Sequence, residues 1–331
     1  MKKSIYLFSN GDLKRKDNTL YVELENGVKK YIPIENTKEI FVFGEVTINK
    51  KFLDFASQNE IIVHYFNYFG FYSGTFYPRE HYNSGYMILN QARYYLDQAE
   101  RLKLARSFVI GAVSNILKIL KYYNRRGKIL DSVISRIEEN GNKVSDTNSI
   151  DELMAIEGNI KQLYYGAFDV ILENTDFTFD KRSKRPPKNE INAVISFSNS
   201  LIYTICLSEI YHTHLDPRIG FLHTTNFRRF SLNLDIAEIF KPVIGDRTIL
   251  ALFNKNQFDS KCFENQLNGF ALNDKGRRLF ITELEKRLSS TICHHSLNRQ
   301  VSYRRLIRLE LYKLEKHLLG EAEYKPFVMD W

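Results

Sequence analysis

The residues best suited to chemistry lie between Leu215 and Pro242, in the stretch LDPRIGFLHTTNFRRFSLNLDIAEIFKP, which carries His223 and then the carboxylates Asp235 and Glu238. Ser231 and Asn233 offer capping oxygens, apolar Leu232, Leu234, Ile236, Ile239 and Phe240 follow, and Pro242 stops the run, so the pattern predicts a short helix. Residues three apart share a helix face, which puts Asp235 beside Glu238. Two such anions repel unless a divalent cation lies between them; the alternative is an acidic face turned to water. A third acid, Glu157, falls on a helix opened by the S-x-x-E box of Ser149 and Glu152, with Leu153, Ile156, Ile160, Leu163 and Tyr164 as its apolar stripe. Glu157 lies at the core-facing edge of that stripe. An ionised carboxylate there needs a cation, a proton or an arginine beside it.

The elements that must position these acids change character along the chain. Residues 1–78 read as β-rich: Ile5 to Phe8, Thr19 to Leu24, Val28 to Ile34, Ile40 to Phe43 and Ile61 to Phe66 are short runs of β-branched and aromatic residues. Asn10-Gly11 and Asn26-Gly27 are hairpin signals, and one helix is expected from Asn49 to Gln58. No nucleophile with a base and no phosphate-cradling loop occurs there. Residues 79–86 read as a linker, and 87–331 as a helical domain: Met87 to Tyr123 as one long amphipathic helix, a second to about Glu139, and others at 149–164, 190–212, 246–253 and 275–288. On the 190–212 helix Asn192, Ser196, Asn199 and Tyr203 recur as one polar stripe, either a network between helices or a shell that orients ligands and water. The run KRSKRPPK supplies Lys181, Arg182, Lys184 and Arg185 for an anionic partner. Ser302 caps a last helix on which Arg305, Arg308, Tyr312 and Lys316 share a sector, as on a helix that tracks phosphates.

Composition bounds these readings. The 331 residues, 44% of them hydrophobic, are enough for a large core in one to three domains. Forty-seven Lys and Arg against 39 Asp and Glu give a net charge of +8, which favours a polyanion such as nucleic acid. Cys206, Cys262 and Cys293 are odd in number and have no CxxC spacing, which argues against a disulfide framework and a thiolate zinc site and points to a reducing cytoplasm. No secretory leader is expected, and no apolar run is read as reaching the ~18 residues of a membrane helix.

Taken in order, the IEG of Ile156 to Gly158, the N-A-x-x-S-F run from Asn192 to Phe197, GFLH ending at His223 and SLNLDIAEIFKP resemble the CRISPR-associated spacer-acquisition integrase family, the first-numbered Cas protein. The likeness runs from SNG-x-LKRK-x-NTL, Ser9 to Leu20, to VSYRRLIRLELYKLEKHLLG, Val301 to Gly320. It implies an α+β protein with an N-terminal β-sandwich and a larger all-α catalytic domain. It also implies a homodimer, a small ferredoxin-like Cas partner subunit, and double-stranded DNA, both protospacer and CRISPR repeat, as substrate. Glu157, His223 and Glu238 would be the ligands of Mg²⁺ or Mn²⁺, with Asp235 in a supporting or alternative ligand role. The reaction implied is attack of DNA 3′-hydroxyls on repeat phosphodiesters; a hydrolytic nuclease would use the same ligands. The sequence departs from the family in having Glu238 where Asp is frequent, which lengthens the reach, and Asn199 where tyrosine is frequent, which removes a hydroxyl. The competing class is a non-catalytic architectural DNA-binding protein whose acids are salt bridges.

Overall fold

In the computed structural model, which describes all residues except 1, 80, 81, 83, 173–176, 185, 226–229, 267, 268, 295, 296 and 331, the chain divides into two compact units, 1–83 and 84–331. The first contains β1 (Lys3–Leu7), β2 (Gly11–Lys16), β3 (Thr19–Glu23), β4 (Lys29–Ile32), β5 (Thr37–Val42), β6 (Val46–Ile48), α1 (Lys50–Gln58), β7 (Ile62–Phe66) and β8 (Tyr72–Phe76). These strands form two four-stranded sheets, in the orders β1-β5-β7-β8 and β4-β3-β2-β6. Strands β1, β5 and β7 run parallel, β8 is antiparallel to β7, and β2 pairs in parallel with β6. Leu13, Leu20 and Val22 from one sheet meet Ile40, Val42 and Val63 from the other and Phe52 and Phe55 of α1 in one apolar core. Asn49 caps α1 by accepting from the Phe52 N–H.

Asn26-Gly27 lies in the connection from β3 to β4, with Gly27 in the left-handed region at φ +77°. Asn10-Gly11 does not form the expected hairpin. There the chain passes from one sheet to the other, and a Cβ on Gly11 would lie 2.2 Å from the Glu23 carbonyl oxygen. Strand β2 escaped the pattern reading because Leu13 is its one buried residue.

The second unit contains α2 (Gly85–Leu96), α3 (Gln98–Asn124), α4 (Asp131–Asn142), α5 (Ile150–Gly166), α6 (Phe168–Ile171), α7 (Glu190–Tyr211), α8 (Leu232–Phe240) and α9 (Arg247–Asn254). A hairpin of β9 (Phe263–Gln266) and β10 (Gly269–Leu272), then α10 (Asp274–Ser289), a hairpin of β11 (Thr291–His294) and β12 (Arg299–Ser302), and α11 (Tyr303–Leu318) complete it. The unit is therefore helical with two small hairpins, a correction to the all-α expectation. The single helix expected from Met87 to Tyr123 is two, because the Asp97 carboxylate accepts from the N–H groups of Ala99 and Glu100 and starts α3 afresh. Pro242 does not end its helix either. Without an N–H to donate, it sits in a π-helical turn, Lys241–Asp246, that carries the chain straight into α9.

Helix α7 is long and apolar enough to cross a membrane, with a mean hydropathy of 1.4, but 89% of that window is buried in this unit, as in a core helix. This revises the expectation that no segment reaches that length. Helix α8 packs against α3 and α7 and is tied to the C-terminal tail. Asn115 of α3 donates to the carbonyls of Ile239 and Phe327 and accepts from the Met329 N–H, at 2.9, 3.1 and 2.7 Å. Phe327 stacks on Phe240, and the Tyr324 hydroxyl donates to Glu310 at 2.5 Å. Asn115→Ala removes these three hydrogen bonds, two of them buried, so it should cost about 2–4 kcal/mol, read as a lower midpoint in urea denaturation with an unchanged slope.

Candidate metal and acid–base site

The site is assembled by α5, α7, α8 and the π-helical turn. Glu157 on α5 and Glu238 on α8 are both buried, at 7% and 2% exposure. Lys161, one turn beyond Glu157, reaches both: its Nζ pairs with Glu157 Oε1 and lies 2.7 Å from Glu238 Oε2. These two oxygens are shut off from water and have no hydrogen-bond partner, so an ionic contact to one ammonium is their compensation. Lys241 Nζ lies 2.6 Å from the other oxygen, Glu238 Oε1, and also donates to the Tyr203 hydroxyl at 3.2 Å. Burial alone would push Glu238 up, but the charges of Lys161, Lys241 and His223 outweigh it and hold it well below the usual carboxylate range. A small cleft of about 20 Å³, open to solvent, is lined by Glu157, Lys161, Tyr164, Glu238, Lys241 and Asp246.

Asp235 has a different environment. It is fully buried and accepts from the backbone N–H groups of Phe221, Leu222 and His223 at 2.6, 3.0 and 2.9 Å, and its Oδ1 lies 2.8 Å from His223 Nδ1. With Nδ1 engaged by a carboxylate, the ring presents Nε2 as its ligand atom. Gly220 permits this closure: a Cβ there would lie 2.7 Å from the Ser231 carbonyl carbon and 2.8 Å from Asp235 Oδ2. Ser231 does not cap α8. Its hydroxyl donates to the Arg218 carbonyl and accepts from the Gly220 N–H. Gln91 and Arg101 add hydrogen bonds to the backbone of Asp216, Ile219 and Phe221 and pin the same loop.

Asp235 and Glu238 therefore do not share a cation, as their spacing had suggested, and neither is a solvated surface acid. The structure brings Glu157 to Glu238 through Lys161, and His223 to Asp235; among the described residues no three His, Cys, Asp or Glu side chains converge as a metal-binding set. The two orphaned carboxylate oxygens face one cation, and hard oxygens of this kind, with a neutral imidazole oriented through its Nδ1, are donors that a hard divalent ion takes.

The polar stripe of α7 serves the basic loop. Arg182 donates to Asn192 Oδ1 at 2.8 Å and Ser196 Oγ at 3.1 Å, while Tyr203 steadies Lys241; Asn199 lies half-buried on the same helix. Lys181 and Lys184 are exposed, and Lys184 feels the charges of Lys161, Arg182, Lys241 and Glu157, so the loop borders the acids. Arg185 lies outside the described residues. On α11, Arg308 Nη2 pairs with the buried Glu209 at 2.6 Å, which gives it a partner inside the fold. Arg305 lies over the Tyr312 ring, and Lys316 is exposed.

Sequence reasoning missed Lys161, Lys241 and Asp246. The first two carried a signal, as partners four and three residues beyond an acid.

A strand-rich unit followed by a helical unit is the fold of a casposase bound to integration product, matched at a TM-score of 0.88 and 20% identity over 99% of this chain and 93% of that one. The match to the family described as CRISPR associated protein Cas1 covers residues 5–286, and the chain belongs to that family. The CRISPR-associated endonuclease Cas1 2 of Thermodesulfovibrio yellowstonii is 61% identical over the full length of both chains. The structure of a Cas1 protein from Thermotoga maritima matches at a TM-score of 0.89 and 49% identity, over 98% of this chain and 100% of that one.

Burial pushes Asp246 up to about 7, against an ordinary value of 3.8. Between those values the folded state holds a proton that the unfolded chain has released, so this group's contribution to stability falls as pH rises through that window. Asp246→Asn removes that dependence. In EDTA the Tm of the variant should exceed that of wild type by a margin that widens as pH rises from ~4 to ~7 and reaches several degrees at the top of that window.

Proposed function

We propose that this chain is a divalent-metal-dependent DNA endonuclease and strand transferase that joins DNA 3′-hydroxyls of a protospacer to CRISPR repeat phosphodiesters in spacer acquisition. The observation that carries the reading is the pair of buried carboxylates, Glu157 and Glu238, aimed at one cation beside an imidazole oriented by Asp235. Glu157, Glu238 and His223 would hold Mg²⁺ or Mn²⁺. Such an ion supplies Lewis acidity toward a phosphodiester oxygen and stabilises charge gathered at phosphorus. Asp235 keeps the His223 ring in one tautomer and one orientation. Lys241, anchored by Glu238 and Tyr203, contributes a fixed positive charge beside the reacting phosphate. The name of the 61%-identical relative as an endonuclease supports this class of activity.

The wider assembly follows from the family. A homodimer, built through a β-sandwich formed by the two sheets of the first unit, would bind double-stranded DNA with a small ferredoxin-like Cas subunit, in the cytoplasm. Lys181, Arg182, Lys184, Arg185, Arg305, Arg308 and Lys316 form the proposed DNA footprint, with Arg182 and Arg308 also held by partners within the chain. Each phosphate contact removed from that footprint should flatten the slope of log affinity against log salt by about one, on any DNA sequence alike. Lys181→Glu with Lys184→Glu, assayed by fluorescence anisotropy, checks it; unchanged affinity and slope would take the loop out of the footprint.

An architectural DNA-binding role is the second reading, favoured by the lysine compensation of both acids as placed. Glu157→Gln separates the two. It keeps volume and one carbonyl oxygen but loses the charge, so Mn²⁺-dependent cleavage and strand transfer should fall by at least about a hundredfold while DNA affinity and Tm change little. Wild-type joining rates in the variant across a Mn²⁺ titration would make Glu157 a structural acid and overturn the site, and the absence of Mn²⁺-dependent joining in wild type itself would favour the architectural role.

A further inference from the structure

The Lys161 ammonium has the surroundings of a bound ion rather than those of a surface lysine. It is flanked by Glu157 Oε1 and Glu238 Oε2, both cut off from water and both with this ammonium as their sole compensation. Lys241, by contrast, is 5% exposed and fixed by two partners in hydrogen-bond geometry. The Lys161 side chain is 26% exposed, and its four-carbon stem gives it room to rotate out of the cleft. A divalent ion on those same oxygens would lie next to this ammonium. At ~4 Å and an effective dielectric of ~20, a +2 and a +1 charge repel by several kcal/mol, so the two cations exclude each other.

We propose that Lys161 is the built-in counter-ion of this site: it holds Glu157 and Glu238 together while no metal is bound, and it leaves the oxygens when a divalent cation arrives. The inference rests on the metal-site reading above and adds a specific competitor to it. Three consequences follow from the charges. The acids stay paired in the metal-free protein, so the fold is not strained by two buried anions. Apparent metal affinity is lower than the bare acids would give, because each metal must displace an ammonium. The displaced ammonium then lies at the solvent side of the cleft, near Lys184 and the basic loop, as a cation newly available to a phosphate.

The test uses Mn²⁺ alone as probe, without DNA or turnover. Lys161→Met keeps the stem and removes the charge; Lys161→Arg keeps the charge. By electron paramagnetic resonance titration, Lys161→Met should bind Mn²⁺ about tenfold or more tightly than wild type, and Lys161→Arg should not. Thermal melting should show Lys161→Met less stable than wild type in EDTA and gaining more from Mn²⁺. Should Lys161→Met fail to fold, the wild-type protein still decides: reductive methylation read by peptide mass spectrometry should label Lys161 several-fold faster with Mn²⁺ than with EDTA. Mn²⁺ binding that is lost in Glu157→Gln but unchanged in Lys161→Met, or Lys161 labelling indifferent to Mn²⁺, overturns the counter-ion and leaves the metal site standing. Absence of Mn²⁺ binding in wild type and Lys161→Met alike overturns both.

Discussion

Two carboxylates buried between helices must be matched by positive charge, and the central features of the helical unit meet that requirement. An unpaired ionised acid in such a place costs several kcal/mol, a large part of the net stability of a domain. Lys161 and Lys241 meet it on different oxygens of Glu238, each about one helical turn from an acid it serves, and Tyr203 fixes the second of them. The π-helical turn belongs to the same solution. It starts at Lys241 and ends at Asp246, so it sets the register in which both face the cleft. Ending the helix at Pro242, as the sequence pattern suggests, would leave that register free.

Asp235 shows how a carboxylate can be buried without a counter-ion of its own. Three backbone N–H groups and one imidazole nitrogen satisfy its two oxygens, and the cost of desolvation is met by hydrogen bonds that fold the GFLH loop around it. The neighbouring acids on α8 thus have separate tasks: Asp235 builds and orients, while Glu238 holds charge. Spacing alone could not separate them, because residues three apart on a helix share a face whichever element packs against them.

Much of the fold was legible. The capping box at Ser149, the apolar stripe of α5, the helix from Asn49 to Gln58 and the polar stripe of α7 are local signals, and local physics decides them. The breaks at Asp97 and the continuation through Pro242 depend on which competing backbone geometry the tertiary packing accepts, and a window of sequence does not contain that information. The same distinction governs the site. Glu157 could be read as an acid in need of a cation, from its place at the edge of an apolar stripe. That the cation is Lys161, shared with Glu238 on another helix, is a long-range pairing visible only once α5 and α8 are side by side.

The polar stripe of α7 extends this logic toward the partner. Asn192 and Ser196 spend their oxygens on Arg182, and so tie the basic loop to the helix that runs behind the acids. As placed, two lysines balance two ionised acids, and Asp246 carries little charge below about pH 7. A divalent ion added to such a cluster leaves it with excess positive charge, enlarged by Lys184 and Arg182 nearby. That excess is unfavourable for the protein alone and favourable beside a polyanion, so the metal and a DNA phosphate would each strengthen the binding of the other. On the proposal that Lys161 is the counter-ion of this site, its departure as the metal arrives limits that excess and leaves the freed ammonium where a phosphate can meet it.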